Sequence, residues 1–229
     1  MKLFNIELTE LQVNQFNKYY ELLIDWNQKI NLTAITEKDE VWKKHFEDSV
    51  SIINAIDLNK IESIIDVGTG AGFPGIPIKI LFPHIKLTLL DSLNKRINFL
   101  NIVIDELGLE NVYTIHGRAE DIGRDKDYRE KFDVCVSRAV ANLATLSEIC
   151  IPFVKINGLF ISYKAEKAEE ELVAAKNAIS LLSSGKVDIV DIKLSETDYS
   201  RKLIVIDKKK STPAKYPRKA GTPAKSPII

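Results

Sequence analysis

The stretch Ser63-Ile64-Ile65-Asp66-Val67-Gly68-Thr69-Gly70-Ala71-Gly72-Phe73-Pro74 constrains the fold more than any other part of the chain. Its first residues form an apolar run short enough for one buried strand, and glycines at alternate positions then break any regular element. The strand must end in a tight loop, and the apolar residues from Pro74 to Leu81 read as a helix, with Pro77 in its first turn. A strand, a glycine loop and a helix in that order are the opening unit of a doubly wound sheet.

The alternation continues. Lys86 to Asp91 reads as the second strand, and Ser92 is expected to cap a helix carrying Ile97, Leu100, Ile104 and Leu107 that stops at Gly108. Val112–His116, Phe132–Ser137 and Leu159–Tyr163 read as strands three to five, followed by a charged helix from about Glu166 to Leu182, ended by Ser183-Ser184-Gly185. Val187–Leu194 and Lys202–Asp207 are two more strands, paired as a hairpin around Glu196-Thr197-Asp198. The fold class that follows is α/β, a doubly wound, mainly parallel seven-stranded sheet. The segment before it looks helical. Thr9 and Gln12 form a capping box, and Leu11, Phe16, Tyr19, Tyr20, Leu23 and Trp26 keep helical spacing. A second helix after Thr36 carries Val41, Trp42, His45, Phe46 and Val50, with the polar connection Asn31–Thr36 between the two. The expected division is a helical cap over 1–58, a main domain over 59–207 and a C-terminal arm over 208–229.

No apolar run reaches the roughly 18 residues of a membrane span, and Glu7 and Glu10 do not suit a signal peptide. Cys135 and Cys150 both sit in apolar stretches and read as reduced core residues, so the sequon Asn31-Leu32-Thr33 carries little weight and a cytoplasmic protein is expected. The net charge is zero but uneven: from Lys208 to Ile229 there are seven basic residues and no acid. Such a tail is either an arm for a polyanionic partner or a solvated, disordered end.

Sheets of this class bind ligands beyond the carboxyl ends of their strands, which is where the loop of Gly68, Gly70 and Gly72 stands. Nicotinamide and flavin enzymes use a similar loop, so three details decide the cofactor. The spacing is Gly-x-Gly-x-Gly after Asp66, and Phe73-Pro74 obstructs the helix end whose open amides a pyrophosphate needs. Asp91 ends strand two, where a carboxylate accepts ribose hydroxyls. Ala119-Glu120 follows strand three, placed for an adenine edge, although Glu120 taken alone reads as a surface acid. Together these point to S-adenosylmethionine and to a class I, Rossmann-like methyltransferase.

Here a resemblance becomes specific. The run from Asp66 to Asp91, with Asp91-Ser92-Leu93-Asn94-Lys95-Arg96, Arg118-Ala119-Glu120 and Ser137-Arg138-Ala139, resembles the bacterial RsmG (GidB) family. The likeness extends to Asn31-Leu32-Thr33-Ala34-Ile35, His45-Phe46-Glu47-Asp48-Ser49 and Arg201-Lys202-Leu203-Ile204-Val205-Ile206, nearly the whole chain, with no motif position clearly departing. It implies methylation of guanine N7 in 16S ribosomal RNA, with naked rRNA or a small-subunit particle as partner. It also implies cofactor contact by Gly68, Phe73, Asp91, Ser92, Leu93, Ala119, Glu120 and Arg138.

The chemistry fits a reaction without a base. After strand four the chain has Ser137-Arg138-Ala139-Val140 where an amine methyltransferase carries an Asn/Asp-Pro-Pro-aromatic motif, and neither cysteine has a nucleophile's setting. Guanine N7 is an unprotonated lone pair, so the task is orientation; no catalytic residue and no metal is expected. Arg138 is either a structural ion-pair partner or a fork for the methionine carboxylate or guanine O6. His45 and Asp48 either face the substrate or form a buried pair. The proline-containing tail is expected to lie extended, unable to form a helix, with Lys209, Lys210, Lys215, Arg218 and Lys219 on rRNA phosphates. On that reading, truncation after Asp207 leaves cofactor binding intact. A monomer is expected. The rivals are a small-molecule methyltransferase of the same fold, an NAD-dependent oxidoreductase and a non-catalytic RNA-binding protein.

Overall fold

The computed structural model describes residues 2–4, 6–138, 141–165, 167–194 and 200–229. Ala139 and Val140 of the strand-four motif, Glu166 at the expected helix start, and the hairpin turn Glu196-Thr197-Asp198 lie outside the described residues.

Seven strands form one sheet: β1 Ser63–Val67, β2 Lys86–Asp91, β3 Val112–His116, β4 Phe132–Arg138, β5 Val154–Lys164, β6 Ser184–Lys193 and β7 Ser200–Lys208. Their order is β3-β2-β1-β4-β5-β7-β6. The first five run parallel, while β7 pairs antiparallel with both β5 and β6. The order reverses between β1 and β4, and the glycine loop leaves β1 at that point. In β1 the side chains alternate: Ile64 joins the hydrophobic cluster on one face of the sheet, and Ile65 and Val67 join the cluster on the other. Both faces are covered, which is why the strand reads as a continuous apolar run.

Helix α1 (Glu10–Ile30) begins at the capping box, where the Gln12 amide donates to Thr9 Oγ1 at 3.2 Å and Thr9 N donates to Gln12 Oε1 at 3.0 Å. Asn31, in the left-handed conformation at φ 44°, ends it. A short hairpin pairing Lys2–Leu3 with Ile6–Glu7 precedes it, which helical periodicity had not revealed. The second helical stretch, α2 (residues 38–54), is composite: Lys38–Val41 is α-helical, Trp42–Glu47 widens into a π turn, Asp48–Val50 is α-helical again and Ser51–Asn54 is 3₁₀. Phe16, Tyr19, Leu23, Val41 and Phe46 share one cluster with Ile64, Ile76, Leu89 and Leu100, so the N-terminal helices and the sheet bury a common core. Polar ties fix α1 over that face: Gln12 Nε2 donates to Ile80 O at 3.0 Å and Gln15 Nε2 to Leu107 O at 2.9 Å.

On the same face lie α3 (Gly75–Leu81) and α4 (Asn94–Glu106). Ser92 does not cap α4. The helix has no side-chain cap at Leu93, and Asp91 Oδ1 instead accepts the Leu93 amide at 2.9 Å. The carboxylate ending β2 is already aimed at that amide, which leaves the serine hydroxyl no part in the turn. After β3 comes the short α5 (Ala119–Ile122). The opposite face carries α6 (Leu143–Cys150), α7 (Ala168–Leu182) and Tyr216 of the C-terminal segment. Cys135 and Cys150 are buried there as free thiols. Among the described residues, no helix is long and apolar enough to cross a membrane.

Candidate functional site

A cavity of about 510 Å³ opens at the carboxyl ends of β1, β2 and β3, within the size range of small-molecule sites. Of the residues named from the sequence, Gly68, Gly70, Phe73, Asp91, Ser92, Ala119, Glu120 and Arg138 line it. Gly72 and Leu93 do not. Gly72 lies behind the loop at φ +99°, where an added Cβ would stand 2.7 Å from both Tyr19 Oη and Ile76 Cγ1. Leu93 turns its side chain outward, 42% exposed.

The loop is held from both sides. Gly68 N donates to Leu90 O at 2.8 Å, Tyr19 Oη donates to Ala71 O at 2.5 Å, and Gly70 N donates to Asp91 Oδ2 at 2.9 Å. Arg96 also reaches Asp91 Oδ2, at 3.2 Å. Asp66 stands beneath the loop, accepting from Thr69 Oγ1 at 2.7 Å and from Gly75 N at 2.9 Å through Oδ2. Burial pushes its carboxyl up to about 6, against those two hydrogen bonds.

The N-terminal helices supply another wall. Leu32 and Thr33 line the cavity because Asn27, on the last turns of α1, folds their backbone over: its Oδ1 accepts from Leu32 N at 2.6 Å and Thr33 N at 2.9 Å. His45, in the π turn, and Asp48, just after it, both face Arg138. Such turns recur where a helix must re-aim side chains. Asp48, fully buried, holds Arg138 NH1 at 2.6 Å and Arg201 Nε at 2.9 Å. His45 stacks on Phe73 with ring centroids 4.7 Å apart, places Nε2 2.7 Å from Thr33 Oγ1 and faces Arg138 NH2 at 3.4 Å. The Arg138 guanidinium lies over the Phe73 ring at 5.0 Å. Burial first, and then the Arg138 charge, lower the His45 pKa to about 4, so the imidazole is neutral at pH 7. Arg138 thus occupies a structural ion pair and still borders the cavity.

The family model for rRNA small subunit methyltransferase G (GidB) matches residues 12–203. The chain belongs to that family. It is similar to the ribosomal RNA small subunit methyltransferase G of Lactococcus lactis subsp. cremoris strain MG1363, with 55% identity over 98% of this chain and 94% of the relative. The enzyme of the same name from Bacillus subtilis is 53% identical over 97% of this chain and 93% of its own. Among solved structures, a putative O-methyltransferase from Klebsiella pneumoniae superposes with a TM-score of 0.57 at 10% identity, covering 89% of this chain and 93% of its own. A SAM-dependent methyltransferase from Aquifex aeolicus gives 0.51 at 17%, covering 73% and 93%. These likenesses carry the fold, that of class I S-adenosylmethionine-dependent methyltransferases.

The C-terminal segment of this methyltransferase corrects the expectation of an extended arm. Lys208 is buried, pairing with Glu130 Oε1 at 2.8 Å. Arg129 donates to the Thr212 and Tyr216 carbonyls at 2.7 and 2.8 Å, and Thr212 and Tyr216 are themselves buried. Arg218 binds Glu148 through Nε at 2.9 Å and NH2 at 2.6 Å, so its guanidinium is engaged within the protein. Thr222–Lys225 forms a short helix, α8, which Pro223 accommodates in its first turn. Lys209, Lys210, Lys215 and Lys219 remain exposed. The apolar residues Tyr216, Pro217 and Pro223 are what dock the segment, and charge counting does not register them.

Proposed function

We propose that this chain transfers the methyl group of S-adenosylmethionine to the N7 atom of a guanine in 16S ribosomal RNA, acting in the cytoplasm. The observation that carries the reading is the family match across residues 12–203, which takes in every wall of the cavity up to β7. The cavity fits the cofactor. Its glycine loop brings backbone to the ligand without a phosphate nest, and Asp91 is 3% exposed at the end of β2. Asp91 already accepts from Gly70, Leu93 and Arg96, and since a carboxylate offers about four lone-pair sites it retains acceptor capacity for a ribose hydroxyl. S-adenosylmethionine, when bound, supplies an electrophilic methyl on its sulfonium.

The protein's own residues need only position and desolvate. A second cavity, about 560 Å³, shares His45, Arg138 and Ala141 with the first and is bordered by Lys44, Tyr163, Lys164 and Arg201. The guanine occupies it and presents N7 at the shared boundary. His45 and Arg138 flank that boundary, both packed on Phe73 of the first cavity, and Asp48 holds Arg138 in place beside it. No proton has to leave N7, so a neutral His45 suffices, and the Cys135 thiol, whose pKa burial pushes well up, is not needed as a nucleophile. Because the major groove of a regular A-form helix excludes side chains, the target guanine lies in a loop or distorted region. Lys209, Lys210, Lys215 and Lys219 meet its phosphates, whereas Arg218 is committed to Glu148.

The test is methyl transfer from labelled cofactor to small-subunit RNA, followed by N7-specific cleavage and reverse transcription. One N7-methylated guanine is expected. Label in RNA at another atom would end the N7 assignment, and label only in small molecules would favour the small-molecule alternative.

A further inference from the structure

The Arg218–Glu148 pair is not an isolated tie. Glu148 is fully buried on α6, between Thr145 and Ile149, and both of those residues line the cofactor cavity. Its Oε1 also accepts the Arg218 backbone amide at 2.8 Å, and Arg218 NH2 donates to Ser226 O at 2.8 Å, closing the segment on itself. Two further bonds go to the cavity wall itself. Gly221 N donates to Glu120 Oε1 at 2.8 Å, and Thr145 Oγ1 donates to Pro223 O at 3.1 Å. Directly after the Pro223 anchor, Ala224 stands at the cavity mouth, lining it while remaining exposed. The family model ends at residue 203, ahead of this segment.

We propose that residues 212–226 form the outer wall of the cofactor site at its nucleoside end, with Ala224 against the bound adenosyl group. The assignment rests on the cofactor reading above. Ala119 and Glu120 stand at the end of β3 beyond Asp91, which is the adenine side of the cavity, and the segment is fastened to Glu120 and to α6 on that side. Arg218 and Glu148 are positioning residues that set the segment's height over the cavity, and Glu120 is shared between wall and ligand. The wall excludes water from the nucleoside and orders Glu120 before the ligand arrives, both of which favour binding. Removing the segment should therefore weaken cofactor binding first, the opposite of what a detached RNA arm predicts.

The test uses the full chain and the substitution A224W, titrated with S-adenosylhomocysteine by calorimetry. Ala224 is exposed, so the indole costs nothing in the core, and thermal unfolding without ligand should match the unsubstituted chain. The dissociation constant is expected to rise about tenfold, with a change in the emission of the introduced indole on binding. 5′-Methylthioadenosine, which lacks the amino-acid end, should lose affinity in the same proportion. T145V, which deletes the bond to Pro223 O, should weaken both ligands in the same direction. Equal affinity for S-adenosylhomocysteine in A224W and the unsubstituted chain, with no change in emission, would overturn the wall. A loss confined to S-adenosylhomocysteine and spared for methylthioadenosine would overturn its nucleoside-end placement. No binding by the unsubstituted chain would instead end the cofactor reading.

Discussion

Replacing Arg218 by alanine removes a charge partner from a carboxylate that has no access to water. Glu148 is fully buried, the Arg218 side chain 29% exposed, and the bond from the Arg218 backbone amide would survive the change. Breaking a buried pair by deleting one partner costs about 3–5 kcal/mol. The partial exposure of Arg218 and the surviving amide place R218A near the lower bound, about 3 kcal/mol. In a domain of this size each kcal/mol moves the melting temperature by about 2–4 °C, so a fall of about 6–12 °C is expected. The loss has a ceiling. If undocking the segment costs less than leaving Glu148 unpaired, residues 212–226 detach and hydrate the carboxylate, and the global loss stops there. Hydrogen exchange separates the two outcomes, because detachment exposes the Thr212 and Gly221 amides, which in the docked state donate to Glu130 and Glu120. A second change, E148Q, removes the buried charge, so the double variant E148Q/R218A should recover at least half of the loss in a double-mutant cycle. Stability within about 0.5 kcal/mol of the unsubstituted chain, with the segment's amides still protected, would place the pair among ordinary surface ion pairs and refute the reasoning.

Three other sets of substitutions separate roles that the geometry keeps distinct. G70A adds a Cβ that meets nothing within 4 Å, at φ +62°, so about 1–2 kcal/mol of strain is expected together with a methyl in the cofactor cavity. G72A drives its Cβ against Tyr19 and Ile76 and should undermine the packing of α1 on the loop; equal losses of melting temperature in the two variants would contradict this division. His45, held near 4 against an ordinary value of about 6.5, contributes stability that is complete above pH 6.5 and lost as pH falls to 4, while Asp66, raised to about 6 from 3.8, gains stability for the fold across nearly the same window. The two slopes oppose, so D66N should steepen acid destabilisation and H45Q should flatten it in urea unfolding between pH 4 and 7; parallel curves for all three proteins would refute the assignment. Converting Lys209, Lys210, Lys215 and Lys219 together to glutamine should leave S-adenosylhomocysteine affinity unchanged and lower the salt slope of RNA binding by about 3; an unaltered slope would remove those lysines from the interface.

What was legible in the sequence was local. The Ile64–Val67 run, the glycine loop and the Thr9–Gln12 box each signal within a few residues, because strand burial, loop closure and capping are short-range events. Asp91 was found the same way, as the acid ending the second strand. Ser92 has the sequence signature of a cap, but the competing acceptor, Asp91, sits one position earlier and its direction depends on β2 packing in the sheet. Asn27 is silent in the sequence for a related reason. It sits three residues inside the end of a long helix, where asparagine has no local signature, yet it folds Leu32 and Thr33 over the cavity. The π turn at Trp42–Glu47 likewise leaves no mark on hydrophobic spacing, although it carries His45, which meets Arg138 beside Asp48.

The uneven charge shows most clearly how a correct count can mislead. Seven basic residues with no acid in the last stretch, balanced by an acidic remainder, read as attraction to an external polyanion. Part of that attraction is internal: Lys208 meets Glu130 and Arg218 meets Glu148, acids lying 78 and 70 positions earlier. Separations of that size carry no sequence signal, because nothing local tells which buried acid a distant base will meet. The clue lay in the apolar residues among the lysines, since a solvated tail has no use for Tyr216, whose burial fixes the segment against the sheet's second face. The lysines left exposed, Lys209, Lys210, Lys215 and Lys219, are then carried on a docked segment, so any phosphate they bind is held at a fixed distance from the cofactor cavity. A docked basic segment pre-organises RNA contact where a free arm would lose conformational entropy to achieve it. If the cofactor-wall and phosphate-contact proposals hold, one element shapes both the cofactor site and the approach of the substrate.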